Sequence, residues 1–92
     1  MSYEEEIAPL RTEIDRLNEE LLEKLRERVE VALSIAEVKK RHGAPIVDRA
    51  REEKVLDRVG VLAADRGLDP VAVRRVFRAV IDLCVEAEEK KQ

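Results

Sequence analysis

This chain is almost without aromatic residues: Tyr3 and Phe77 are all it has, and there is no Trp. Any core must therefore be built from Leu, Val, Ile and Ala instead of ring systems. A single cysteine, Cys84, excludes an internal disulfide framework. The single histidine, His42, stands far from Cys84 in sequence, so no metal-site spacing exists and neither a metal nor a cofactor is expected. No apolar run approaches the roughly 20 residues that span a bilayer. The segment from Met1 to Leu10 is acidic and lacks the basic and apolar regions of a signal peptide. The expectation is a cytoplasmic protein with no membrane partner. A net charge of −3 argues against a general nucleic-acid binder, which would carry a basic face.

What the chain has in excess is charge, 42% of its residues against the usual ~25%. Much of it can pair along helices, as Glu20 with Lys24 and Glu37 with Arg41. Glycine and proline are scarce, so the helical pattern is interrupted strongly at only two places. His42-Gly43-Ala44-Pro45 ends the first helix and Gly67-Leu68-Asp69-Pro70 ends the second. Asp48 suits an N-cap, and Asp69 before Pro70 is a cap followed by a first-turn proline. The fold expected is all-α, one domain over residues 1–92, with helices at about 4–41, 48–66 and 69–90. No stretch reads as a strand, and no repeat or linker is evident.

The first helix poses a problem of size. At ~1.5 Å per residue it is about 55 Å long. A compact monomer of this length has a diameter of only roughly 30 Å. The helix cannot be covered by its own chain, so partner subunits must bury the overhang, with a symmetric dimer as the default.

The buried seam of that helix contains cations. Ile7, Leu10, Ile14, Leu17, Leu21, Leu25, Arg28, Ala32, Ile35 and Lys39 follow one another at steps of three or four, which makes one stripe. Arg28 and Lys39 lie on it and Arg11 borders it. The third helix repeats the anomaly: Phe77, Ile81, Cys84 and Glu88 share a stripe that ends in an acid. In the second, Arg51 stands one turn before Val55 and Glu52 one turn before Leu56, while Glu53 and Asp57 fall on the solvent face. Singly, each has an ordinary explanation. A long cation lays its stem on apolar surface with its charge in water, and Glu88 is close to a terminus. Recurrence on all three helices favours an enclosed polar pocket for a small anion, since an unpaired charge in a core is costly.

Helical geometry adds a constraint. Arg28 and Lys39 differ by only ~20° around the axis and ~16 Å along it, so two long side chains can converge on one ligand. Arg11 lies about 25 Å from Arg28 along the axis. It reaches that ligand only from an antiparallel partner helix.

In order and spacing, these residues resemble the all-α chorismate mutase family. The resemblance runs through Leu10-Arg11, Ile14-Asp15, the stretch from Leu21 to Arg28, Lys39, the Pro45-Ile46-Val47-Asp48 turn, Arg51-Glu52 and Glu88. It implies an intertwined homodimeric helical bundle whose two active sites are each shared between chains. The implied reaction is the rearrangement of the dianion chorismate to prephenate, on the route to Phe and Tyr. Arg28 and a partner chain's Arg11 would hold the substrate carboxylates. Lys39 would donate to the ether oxygen whose bond breaks, assisted by Glu88. Glu52 would bind the ring hydroxyl, while Arg51 and Asp48 would help to position the substrate. An intramolecular rearrangement requires a reactive conformer and donors aimed at developing charge, with no nucleophile, metal or organic cofactor.

Two positions depart from the common family pattern. Position 88 is often Gln, which donates a hydrogen bond at any pH, whereas Glu88 donates only when protonated. Position 84 is often Ser touching a carboxylate; Cys84 is a weaker donor and on this apolar face reads first as a small buried hydrophobe. His42 reads as a solvated helix-end residue. Two rival readings stand beside the mutase: a same-fold enzyme that eliminates pyruvate from isochorismate, and a non-catalytic helical dimerisation module.

Overall fold

The computed structural model describes residues 1–91. It is all-α: α1 spans Tyr3–Arg41, α2 Arg49–Asp65 and α3 Pro70–Lys91, with no strand among the described residues.

The three helices begin and end where local chemistry dictates. Ser2 caps α1 by accepting the Glu5 N–H at 3.1 Å. Glu4, Glu5 and Glu6 sit in the first turn and Lys39, Lys40 and Arg41 in the last, so both ends of the helix dipole meet charge of the favourable sign. Asp48 caps α2 by accepting the Arg51 N–H at 3.0 Å, and Asp69 caps α3 through the Val71 N–H at 3.0 Å. α1 and α2 stop by the same device. Gly43 and Gly67 take positive φ, 65° and 72°, which a Cβ would oppose. Ala44 then donates to the Lys39 carbonyl at 2.8 Å, and Leu68 to that of Ala63 at 2.9 Å, each a six-to-one closure of the last turn.

Charges along α1 pair locally, but not all as the spacing suggests. Glu20 takes Arg16 at 2.6 Å instead of Lys24, and Lys24 takes Glu27 at 3.0 Å. No ion pair joins Glu37 to Arg41. Exposed helical pairs are each worth only ~0.3–0.5 kcal/mol, so partners exchange at little cost. Glu53 and Asp57 do lie outward, where Arg74 from α3 reaches Asp57 at 2.7 Å.

α3 is the hub: α1 and α2 both pack on it and not on each other. The buried apolar residues are Ala32 and Ala36 of α1, Leu56 and Ala63 of α2, and Ile81 and Cys84 of α3. Only Leu56 and Ile81 among them are large, so little apolar area offsets the entropy of ordering the chain. The shape explains why. The molecule measures 62 × 27 × 15 Å with a radius of gyration of 17.2 Å, well above the ~12 Å of a compact chain this long. From Ala8 to Lys24 every residue of α1 is exposed, including Leu10, Ile14, Leu17 and Leu21. The N-terminal half of the seam is apolar, and it lies beyond the reach of α2 and α3.

Candidate active site

Because α1 and α2 diverge over α3, a groove of about 240 Å³ opens between them. Its walls are Arg28, Ala32, Ile35 and Lys39 from α1, Ile46 and Asp48 from the connecting turn, and Arg51, Glu52 and Val55 from α2. Ile81, Cys84, Val85 and Glu88 of α3 complete it. Seven of the eight side chains expected at a site thus share one groove.

The eighth does not. Arg11 is exposed on the overhang of α1, 3.7 Å from Glu4. Within one chain the groove is also open instead of enclosed. Both follow from the length of α1, as its spacing led us to expect: among the described residues no segment folds back over the groove, and Arg11 lies too far along the same helix to reach it.

The two seam cations are half-buried and fixed by their neighbours. Arg28 donates through Nη1 to the Cys84 sulfur at 2.9 Å. Lys39 donates through Nζ to the Ile46 carbonyl oxygen at 2.6 Å. Each is thereby oriented while keeping further N–H donors for a ligand. Cys84 is buried and does more than fill space, since its sulfur accepts from the cation that lines the groove.

Glu88 is buried at a cost. It is only 6% exposed, and its Oε2 is buried without a hydrogen-bond partner. Burial pushes its carboxyl above the ordinary value of 4.5; Lys39 and Arg28 pull the other way, and Glu52 and Glu89 add to the rise. A protonated Glu88 offers an O–H in the groove that also holds Lys39.

Glu52 is buried as well, at 7% exposure, but it is well partnered. Its Oε1 accepts from Arg49 Nη1 at 2.8 Å and from Arg78 Nη2 at 2.9 Å. Arg78 also donates to Asp82 at 2.9 Å. Arg51 and Asp48 stand at the exposed rim, with Asp48 occupied as the cap of α2. The partners of Glu52 and the Ile46 carbonyl are the parts of the site that sequence reasoning missed. Arg78 lies 26 residues from Glu52 on another helix, and no helical spacing signals such a pair.

Fold and groove together define an all-α protein with a polar groove in which three cations, Arg28, Lys39 and Arg51, meet three carboxylates, Asp48, Glu52 and Glu88. Comparison with known proteins makes the class specific. Residues 10–89 match the family model described as chorismate mutase type II. The 4-amino-4-deoxychorismate mutase of Streptomyces venezuelae is 35% identical over 85 residues, covering 91% of this chain and 82% of that protein. The chorismate mutase of Methanocaldococcus jannaschii is 31% identical over 78 residues, 85% of this chain and 79% of that one. A bifunctional chorismate mutase/prephenate dehydratase of Aquifex aeolicus is 35% identical over 89 residues, and the match spans only 25% of its length. The chain belongs to the chorismate mutase type II family. The expectation of an isomerase of the chorismate mutase class is met by that membership.

Proposed function

We propose that this chain converts chorismate to prephenate as a symmetric dimer with two shared sites. The observation that carries this reading is the meeting of Arg28 and Lys39 with the buried, unpartnered carboxyl of Glu88 in one groove. In the reaction the carbon–oxygen bond between ring and enolpyruvyl group breaks as a carbon–carbon bond forms between them. No atom is gained or lost. The protein's task is to hold a flexible dianion in its reactive conformer and to meet the charge that grows on the ether oxygen. Arg28 and the partner subunit's Arg11 bind the two carboxylates. Lys39 donates to the ether oxygen, and neutral Glu88 donates beside it. Glu52 accepts from the ring hydroxyl through Oε2, its oxygen left without a protein donor among the described residues. Arg51 and Asp48 hold the rim, and Cys84 keeps Arg28 aimed inward.

Support for the dimer comes from the exposed seam of α1. An antiparallel second copy buries Leu10, Ile14, Leu17 and Leu21 and carries its own Arg11 to the open side of the groove. Sedimentation should give twice the 10.5 kDa chain mass. Leu21→Glu should halve that value and remove activity with it, because an unpaired charge is costly at a buried seam. A chain that sediments at 10.5 kDa and still turns over chorismate excludes shared sites.

The decisive assay follows chorismate loss spectroscopically and identifies the product. Prephenate supports the reading. Pyruvate release from isochorismate, with chorismate untouched, assigns the lyase instead, and inertness towards both leaves a helical dimerisation module.

A further inference from the structure

Relatives of this chain carry the names of two mutases whose substrates differ at one ring substituent, a hydroxyl in chorismate and an amine in 4-amino-4-deoxychorismate. At neutral pH the first is uncharged and the second is an ammonium. A carboxylate facing that position accepts a hydrogen bond from either. Only the ammonium gains an ion pair as well, and only if the carboxylate's charge has not already been neutralised.

In this chain it has been neutralised. Both recorded donors to Glu52 are guanidiniums, and both bind the same oxygen. Arg49 has a side chain 76% exposed, so solvent screens much of its charge. Arg78 has a side chain 34% exposed, and the Nη2 that binds Glu52 also donates to Asp82 at 2.9 Å, which fixes the guanidinium between the two carboxylates. Arg78 is therefore the less screened and better fixed of the two. The rest of the groove gives an ammonium no better welcome. Arg28, Lys39 and Arg51 are cations, Asp48 is committed as a helix cap, and Glu88 is the group that the reading above requires to be neutral.

Resting on the mutase reading, we propose that Arg78 is a specificity-determining positioning residue. It neutralises Glu52 and leaves Oε2 to accept from a neutral ring hydroxyl, so that the site selects chorismate over the ring-amino analogue. Arg78 acts through Glu52 and needs no contact with the substrate.

The test is kcat/KM for both substrates with the parent, Arg78→Gln and Arg78→Lys. The parent should favour chorismate by about tenfold or more. Arg78→Gln should move the ratio towards the amine by about tenfold, mainly through a lower KM for the amine. Arg78→Lys keeps the positive charge and should retain the parent's ratio. A purely structural role for Arg78 slows both substrates equally; an unchanged ratio in Arg78→Gln overturns the proposal. So does a parent that prefers the amine, a result that needs no variant to fold. A parent inert towards both compounds overturns the mutase reading and this proposal together, whereas an active parent with an unmoved ratio overturns this proposal alone.

Discussion

Arg28→Ala is expected to lower kcat/KM for chorismate by roughly a thousandfold while leaving the helical fold and the proposed dimer in place. Loss of one preorganised charged donor in a site of this kind costs on the order of 10²–10³ in rate, and a carboxylate left without its guanidinium adds to that. The effect on stability should be small. The recorded hydrogen bond from Arg28 goes to the Cys84 sulfur, a weak acceptor, so its removal orphans no strongly polar group. Circular dichroism and sedimentation therefore separate catalysis from folding. The dimerisation-module reading gives the opposite result, a modest loss of stability and no activity to lose.

The same variant tests the sharing of sites. Arg11→Ala should also be inactive, although Arg11 is exposed in the single chain and pairs with Glu4 there, at 3.7 Å. Mixing the two dead variants under conditions of subunit exchange should restore activity. In a mixed dimer one site receives both intact arginines and the other neither, so random exchange regenerates about a quarter of the parent's sites. Sites complete within one chain give no recovery at any ratio.

The fold was largely legible because its signals are local. Gly43 and Gly67 at positive φ, Asp48 and Asp69 as caps, and the three- and four-residue steps of the seam each act within a turn or two of helix. The length of α1 could be set against the size of a compact chain without knowing any contact. The groove was legible for a related reason. A charge on an apolar stripe is an anomaly that periodicity alone reveals, and Arg28, Lys39 and Glu88 all stood out in that way. What periodicity cannot carry is the partner of a side chain across helices. Arg78 reaches Glu52 from α3, and Lys39 reaches the Ile46 carbonyl across the turn after α1, whereas Arg49 stands one turn before Glu52 on α2, a spacing the sequence does display. The exchange of Lys24 for Arg16 at Glu20 has another cause. Several exposed pairings on one helix face lie within a few tenths of a kcal/mol, and sequence does not rank them.

Glu88→Gln should convert a pH-dependent enzyme into one whose activity is nearly flat. Glu88 faces Arg28 and Lys39 from α1, Glu52 and Arg51 from α2, Asp48 from the turn and Glu89 on its own helix. Burial outweighs the two cations that oppose it, so its carboxyl titrates above the ordinary 4.5. On the proposed mechanism neutral Glu88 donates to the ether oxygen, and ionised Glu88 would repel the charge growing there. The parent's kcat/KM should therefore fall as pH rises through that raised value, approaching tenfold per pH unit for loss of one required proton. The Gln amide donates at every pH, and at pH ~8 Glu88→Gln should exceed the parent by about tenfold or more. Substrate sharpens the effect: its carboxylates occupy the cations that favour ionisation, so the fall in kcat should lie at higher pH than the fall in kcat/KM. Stability must move with the same group. Below its unfolded value of 4.5 the carboxyl is neutral in both folded and unfolded chains and costs nothing. As pH rises through the folded value, the buried charge appears and folding weakens. Glu88→Gln should accordingly match the parent's Tm near pH 4 and exceed it at pH 8. Superimposable activity profiles would show that the proton on Glu88 has no part in turnover.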